Sequence, residues 1–345
     1  MKVLITPLFG LGDTLMFTPA LEILKMNRPD WTIDVFTFKR SNYEILIDNP
    51  YIDNLIFEPM LTWNKLKVIG YMLKSLRGKY DVVINFYPSN RKDYNIFAFL
   101  TGARYRLGHR YLYMNFKEWN FLKNLTIDES TQMHCVEQNI RLLELLGINN
   151  NMNEIPDMKV YLSDEEVEKG EIYLKQWDSI KIGLHTGTSR FKNHINRRWP
   201  KEYFLEIVNY FKEVKFLLFG TDEEKEENEY ILKNNKNDNV ILVENKTIRE
   251  VAAIVKNLDL FISNDSGLMH LSAAVGTKTF GIFGPTNPIW VKPWGDRNTF
   301  FKLDLPCSPC FVYSPKPLNC KIDDRFKCLK ELKPDIIIKK IKEVL

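Results

Sequence analysis

Cysteine is scarce in this chain. Five cysteines among 345 residues do not make a disulfide framework, and a chain of this length can bury a full core, or two, without one. Long apolar runs are missing as well. No stretch approaches the ~20 residues that a helix needs to cross a bilayer, which argues against an integral membrane protein. Residues Met1 to Gly10 carry one lysine and a short apolar run. They lack the longer apolar core and small-residue cleavage site of a signal peptide. They read instead as a first strand, Lys2 to Phe9, of a cytoplasmic protein. Nor is there an excess of one charge. Against 44 Asp and Glu stand 48 Lys and Arg, a net of +4, which by itself makes no case for nucleic acid. Repeats and low-complexity segments are absent too. What remains, 45% hydrophobic and 27% charged, is the composition of an ordinary globular protein.

The most informative stretch runs from Ser263 to Gly276. A short apolar strand, Leu258 to Ile262, leads into it. After it, Leu268, Leu271, Ala274 and Val275 recur at helical spacing. Asn264-Asp265-Ser266-Gly267 lies between, a turn rich in helix-capping residues. A strand that turns through glycine into a helix aims backbone N–H groups and the positive end of the helix dipole at one spot, an anion site suited to phosphate. A second strand, Thr279 to Phe283, then enters Gly284-Pro285-Thr286, which completes a βαβ unit of a parallel sheet.

The first half has the same rhythm. Gly10-Leu11-Gly12-Asp13 follows the first strand and opens a helix. A dinucleotide fingerprint wants a third glycine three residues after the second, and Leu15 stands there. Asp13 reads either as a helix cap or as a carboxylate offered at the mouth of the turn. Strands are expected at Trp31–Phe38, Asn54–Phe57 and Asp81–Phe86, with helices near Ser41–Asp48 and Trp63–Leu76. Arg91 falls on a loop at the carboxyl edge of the sheet, where open α/β sheets bind ligands. Residues 104 to 123 set five Arg or Lys against the single acid Glu118, with six aromatics interleaved. Such a stretch suits RNA, an anionic sugar or a lipid surface, or it is a loop that packs its aromatics and solvates its charges. An amphipathic helix, His134 to Leu146, stops at Gly147. A polar loop, Asn149 to Pro156, closes the first domain, and the linker is placed between about Pro156 and Ser179, with Ser163 and Glu166 forming a capping box.

The second sheet starts at Lys181–His185. Thr186-Gly187-Thr188-Ser189 and Arg197-Arg198-Trp199-Pro200 follow. Small hydroxyls, glycine and nearby cations are the parts of a diphosphate pocket; two surface arginines are the plain alternative. Strands at Lys215–Phe219 and Asn239–Val243 precede a helix capped by Thr247. Late in the chain come Cys307, Cys310, Cys320 and Cys328. The first pair has half-zinc-site spacing, but the second pair is spaced more widely, which favours reduced, unbound thiols.

Together these motifs resemble the ADP-heptose:lipopolysaccharide heptosyltransferases, glycosyltransferase family 9. The matching pieces are Gly10-Leu-Gly-Asp-Thr-Leu15, His185-Thr-Gly-Thr-Ser189, Arg197-Arg-Trp-Pro200, His134-Cys-Val-Glu137, and Asn264 through Ala274 on to Pro288. The resemblance implies an α/β fold of GT-B type, with two doubly wound Rossmann-like domains facing across a cleft. Residues 1–160 would take the acceptor and residues 178–330 the nucleotide sugar, with the helix 334–345 packed back on the first domain. It implies an inverting displacement at the anomeric carbon. Asp13 would be the general base, where the helix dipole favours a carboxylate. Thr186, Thr188, Arg197, Lys246, Asp265, Ser266, Gly267 and His270 would bind the donor. Arg198, where the family usually has lysine, would keep a cation with bidentate phosphate geometry. Gly12, Arg91 and Arg106 would meet a lipid-linked anionic acceptor, with peripheral contact at the cytoplasmic face of the inner membrane. No metal or cofactor beyond the donor ADP-heptose is implied. The same family with another nucleotide sugar or acceptor, and a non-catalytic or NAD-binding Rossmann protein, are the alternatives.

Overall fold

A computed structural model describes Met1–Thr6, Gly10–Met152, Glu154–Tyr313 and Lys316–Leu345. Pro7, Leu8 and Phe9, the end of the expected first strand, lie outside the described residues. The chain forms two compact units. The first is Met1–Tyr161 joined by Tyr313. The second is Leu162–Val312 with Lys316–Leu345.

In the first unit six strands, β1 (Lys2–Ile5), β2 (Thr32–Thr37), β3 (Asn54–Phe57), β4 (Val82–Ile84), β5 (Tyr105–Arg110) and β6 (Leu125–Asp128), form one sheet ordered β3-β2-β1-β4-β5-β6. Every pairing is parallel, with Val3 opposite Ile33 on one side and Val82 on the other. The helices are α1 (Leu11–Met16), α2 (Thr18–Asn27), α3 (Arg40–Leu46), α4 (Lys65–Tyr71), α5 (Lys92–Leu100) and α6 (Cys135–Arg141). The helix expected over Trp63–Leu76 is α4 continued by a wider π-helical turn, Met72–Leu76. The basic–aromatic stretch is not one loop: its first third is β5, an interior strand of the sheet. One face of the sheet packs Leu4, Phe36 and Val83 against Met72, Leu76 and Phe97.

The second unit repeats the plan. Its strands are β7 (Lys181–His185), β8 (Lys215–Phe219), β9 (Val240–Val243), β10 (Leu260–Asn264), β11 (Thr279–Ile282) and β12 (Thr299–Phe301), ordered β12-β11-β10-β7-β8-β9 and all parallel. Every residue of β10 is buried, as expected of a strand covered on both faces. Its helices are α7 (Asp164–Leu174), α8 (Lys201–Tyr210), α9 (Lys225–Asn234), α10 (Ile248–Lys256), α11 (Gly267–Ala274), α12 (Pro288–Val291), α13 (Lys327–Lys330) and α14 (Pro334–Val344).

Two boundaries differ from expectation. Helix α7 falls in the placed linker but belongs to the second unit, packed along α10. A bidentate pair, Arg249 Nε to Glu166 Oε1 at 2.5 Å and Nη2 to Oε2 at 2.6 Å, ties the two helices. That contact holds the Glu166 carboxyl down at about 2. The closing helix α14, expected on the first domain, buries Ile337, Ile338 and Ile341 in the second unit's core beside Trp199, Phe204 and Ile207 of the α8 region. Its apolar stripe is satisfied by the sheet that precedes it in the chain.

Candidate functional site

Each sheet reverses its strand order once, and at that point two loops leave the carboxyl edge in opposite directions and open a crevice. In the second unit the reversal lies between β7 and β10. The loop after β7 holds Thr186 and Thr188, and the one after β10 holds Asp265, Ser266 and Gly267. The topology therefore brings most of the expected donor residues to one edge.

The turn into α11 is the centre of this edge. Ser266 is its N-cap residue, yet its side chain makes no cap. Its Oγ lies 2.9 Å from His185 Nδ1 and 3.0 Å from Ser263 Oγ. The backbone N–H groups of the first turn are thus left without the cap oxygen that a serine usually supplies. Beside them Arg197 Nη1 meets Asp265 Oδ2 at 2.9 Å, and the guanidinium stacks 4.3 Å from the centre of the Phe311 ring. Among the described residues Arg197 Nε, His270 Nδ1 and Thr286 Oγ1 are buried polar atoms without a hydrogen-bond partner. Buried polar groups are normally satisfied. Thr286, which follows β11 at this same edge, was not singled out from the sequence.

Asn264, the last residue of β10, is another residue the sequence did not single out. Its Nδ2 donates to Thr186 O at 2.6 Å, and its Oδ1 accepts from Trp199 N at 2.9 Å. One amide thereby clamps both neighbouring segments to the strand end. Trp199 is buried and donates Nε1 to Leu332 O, so the Arg-Arg-Trp-Pro segment is anchored from both sides. From the sequence it reads as the first residue of the capping turn, not as the last residue of the strand.

Several expected roles shift. The hydroxyl protons of the two threonines are engaged inside the protein: Thr186 Oγ1 donates to Asn228 Oδ1 and Thr188 Oγ1 to His194 O. Arg198 does not offer a free phosphate fork. Its guanidinium is held by Glu224 Oε1 at 3.1 Å, Glu227 Oε1 at 2.7 Å, Thr188 O and Glu223 O. It is a buried structural cation. Gly187 is part of the same packing, since a Cβ there would sit 2.1 Å from Glu224 Cγ. Lys246 lies beyond β9, the outer strand, where it pairs with Glu250 at 3.4 Å. It is at the same edge but not at the reversal.

In the first unit the reversal lies between β1 and β4. Asp13 follows β1 and Arg91 follows β4, each at the start of the next helix. Asp13 stands in the first turn of α1 and its carboxylate folds back over Gly10, where a Cβ would meet Oδ2 at 2.5 Å. Gly12, beside it, is buried. Tyr313 comes from far along the chain and is half-buried here. Its ring centre is 5.3 Å from that of Tyr87 and its hydroxyl 3.6 Å from Cys135 Sγ. Burial first, and then the charges of Cys135, Tyr87 and Asp13, push its phenol upward. Nothing in the sequence placed Tyr313 beside Asp13, because the irregular tail has no periodicity to read.

Arg91 pairs with Asp93 at 3.2 Å. Arg106 sits toward the amino end of β5 and donates Nε to Leu122 O and Nη1 to Ala103 O, away from the carboxyl edge. Those carbonyls take the donors that an acceptor would have used. Lys123 is buried, donating to Asn120 Oδ1 at 2.5 Å and His109 O at 3.2 Å, and burial lowers its amine to about 7.

The four late cysteines line one cavity of about 230 Å³ with Pro285, Leu318 and Phe326. Burial, reinforced by the neighbouring thiols, raises Cys328 to about 11 and Cys310 above its ordinary value. Among the described residues no group of three or more His, Cys, Asp or Glu side chains is arranged to hold a metal ion.

Burial keeps four histidines neutral, His194 among them at about 3. It lowers His109 and His185 to about 3 and His270 to about 4; Lys123 adds to the effect on His109 and Arg198 to that on His185, while Asp265 opposes it at His270. An unfolded histidine binds its proton near pH 6.5. The unfolded state therefore holds more protons below that value, and stability falls as the pH drops. We expect full stability above about pH 6.5 and a loss of about 1.4 kcal/mol per pH unit for each such ring below it. Urea midpoints compared at about pH 7 and about pH 5 check this; equal midpoints would mean that the rings protonate freely in the fold.

Two α/β sheets in sequence, each with one strand reversal and the second with a helix N-terminus and Arg197 beside it, define a two-unit Rossmann-like protein. The chain belongs to glycosyltransferase family 9 (heptosyltransferase), whose family profile matches residues 69–320. It is 37% identical to lipooligosaccharide heptosyltransferase 2 of Campylobacter jejuni over 170 residues, 48% of this chain and 50% of that protein; the match thus spans about half of that relative's length. It is 26% identical to lipopolysaccharide heptosyltransferase 3 of Escherichia coli K12 over 307 residues, 83% of each. The structure of E. coli ADP-heptose lps heptosyltransferase II shares the fold, with a TM-score of 0.75 at 18% identity over 100% of this chain and 98% of that one.

Proposed function

We propose that this protein is an inverting heptosyltransferase that moves a heptose from ADP-heptose to a hydroxyl of the lipopolysaccharide inner core. Family membership supports the transferase class, and the relatives' names support the donor and the acceptor. The observation that carries the donor side is the uncapped α11 turn with Arg197 Nε and His270 Nδ1 buried and unpartnered beside it. Helix N–H groups and an arginine are what a departing diphosphate needs, because negative charge grows on it as the glycosidic bond breaks. Asp265 orients Arg197. Ser266 and Gly267 set the turn, and Thr186 and Thr188 shape the loop. Lys246, at the outer strand, would reach at most the periphery of a bound donor.

Asp13 is the proposed base. The acceptor oxygen attacks the anomeric carbon and its proton passes to the Asp13 carboxylate. The bond from that carbon to the diphosphate oxygen breaks, and ADP leaves with inversion. Gly12 lets the acceptor approach backbone, and Arg91 meets an acidic group on it. Arg106 has no place in this scheme. The proposed setting is the cytoplasmic face of the inner membrane, where a lipid-linked acceptor is reached. Among the described residues no helix is long and apolar enough to cross a membrane.

Thermal melts with ADP, UDP, GDP, CMP and NAD test the donor. A ligand at about a hundred times its Kd adds about 2.7 kcal/mol. ADP alone should raise the melting temperature. A response to UDP or GDP instead would overturn the donor and spare the family; a response to NAD alone would overturn the glycosyl-transfer reading.

A further inference from the structure

Helix α4 is apolar on both sides. Its inner side, Val68 and Tyr71, packs on the first unit's core with Met72 and Leu76 of the following turn. Its outer side is Leu66 and Ile69, continued by Leu73 of the following turn, all exposed, with Leu66 at 82%. A helix in water normally turns a polar face outward, and three aliphatic side chains at a spacing of three and four form one exposed row.

The row is part of a larger surface. Helix α5 packs against both the Met72–Leu76 turn and the turn Asn120–Leu122. It adds exposed Phe99, with the Arg106 guanidinium 5.6 Å from its ring centre. The loop beyond β5 adds Phe116, 80% exposed, and Phe121. The charges along these segments are mostly basic, and the acid that meets α4, Glu58, does so through the Tyr71 hydroxyl on its inner side. No Asp or Glu occurs between Glu58 and Asp81, a stretch with Lys65, Lys67, Lys74, Arg77 and Lys79, nor between Asp93 and Glu118, a stretch with Arg104, Arg106 and Lys117 besides Arg110, which Asp128 pairs. Lys67 sets its ammonium over the Trp63 ring, 4.1 Å from the ring centre, which places this cation next to the helix that carries the apolar row.

We infer that this face, with α4 as its main element, docks on a bilayer that carries anionic lipid. Exposed aliphatic and aromatic side chains enter the boundary between headgroups and acyl chains, while lysines and arginines at the rim pair with headgroup phosphates. The basic excess selects this occupant. A second copy meeting this face through a twofold axis would set cations against cations, whereas an anionic surface is complementary. The inference extends the membrane setting proposed above. It assigns the contact to a helix remote in sequence from Asp13 and from the donor residues, and its test does not involve the donor.

Sedimentation of the full chain with vesicles is that test. Vesicles of phosphatidylcholine with phosphatidylglycerol should carry the protein down, and vesicles of phosphatidylcholine alone should do so at least about tenfold less. Raising the salt should release much of it. The variant L66S/I69S/L73S should lose about tenfold or more in partitioning, with an unchanged melt and unchanged ADP binding, because none of the three side chains is in the core. K65Q/K67Q/K74Q should lose binding to the anionic vesicles in the same way. Three results would overturn the inference: no sedimentation with phosphatidylglycerol, equal sedimentation of the serine variant, or a wild-type dimer that the serine variant turns into a monomer. Failure of the ADP melt with vesicle binding intact would count against the donor and leave this face standing.

Discussion

Replacing Asp13 by asparagine should lower kcat for transfer by about 10²–10⁴-fold, the usual worth of a positioned general base. The amide has the shape of the carboxylate, so the fold over Gly10 and the place in the first turn of α1 can persist. What it cannot do is accept a proton from the attacking hydroxyl. The proposed donor residues lie in the other unit, so ADP affinity should not change. The helix-terminus interaction is worth at most about 1 kcal/mol, and the melt should move little. Steady-state ADP release, with an ADP titration of the same preparation, separates these quantities. A variant that keeps wild-type kcat would remove Asp13 from the chemistry, and the carboxylate would then be only a first-turn anion of α1.

Arg198 should matter in the opposite way. Substitution by alanine leaves Glu224 and Glu227 facing each other without their cation, and both carboxylates are largely shielded from water. Breaking a buried pair in this manner costs about 3–5 kcal/mol, which should lower the melting temperature of the second unit by about 10 °C or more. The loop around Gly187 should loosen as well, because Arg198 also binds Thr188 O. Arg198→Lys should recover part of the loss, since one ammonium replaces a fork of several donors. Calorimetry of the apoprotein reads the effect directly. An Arg198→Ala protein that melts like wild type but no longer binds ADP would return this residue to the diphosphate.

The contrast between Arg197 and Arg198 shows what could be read from the chain alone. The alternation of strands and helices was legible almost to the residue at β3, β7 and β8, because each is a short apolar run bounded by turn residues. The α11 turn was legible for the same reason. The division of labour between adjacent arginines was not. It depends on Glu224 and Glu227, which lie some two dozen residues further on and face Arg198 only once β8 and α9 have folded. Arg106 was misplaced because its neighbours are aromatic and basic without strict alternation, so an interior strand looked like a loop. Tyr313 reaches Asp13 only through tertiary structure. The face of α4 was hidden by its composition: helical spacing marks apolar residues without saying which side is covered.

Heptosyl transfer is tested most directly by incubating the purified chain with ADP-heptose and a truncated inner-core acceptor and weighing the acceptor by mass spectrometry. A gain of one heptose, accompanied by ADP and absent with Asp13→Asn, is the expected result. An acceptor that stays unmodified with ADP-heptose but gains a sugar from another nucleotide donor would contradict it.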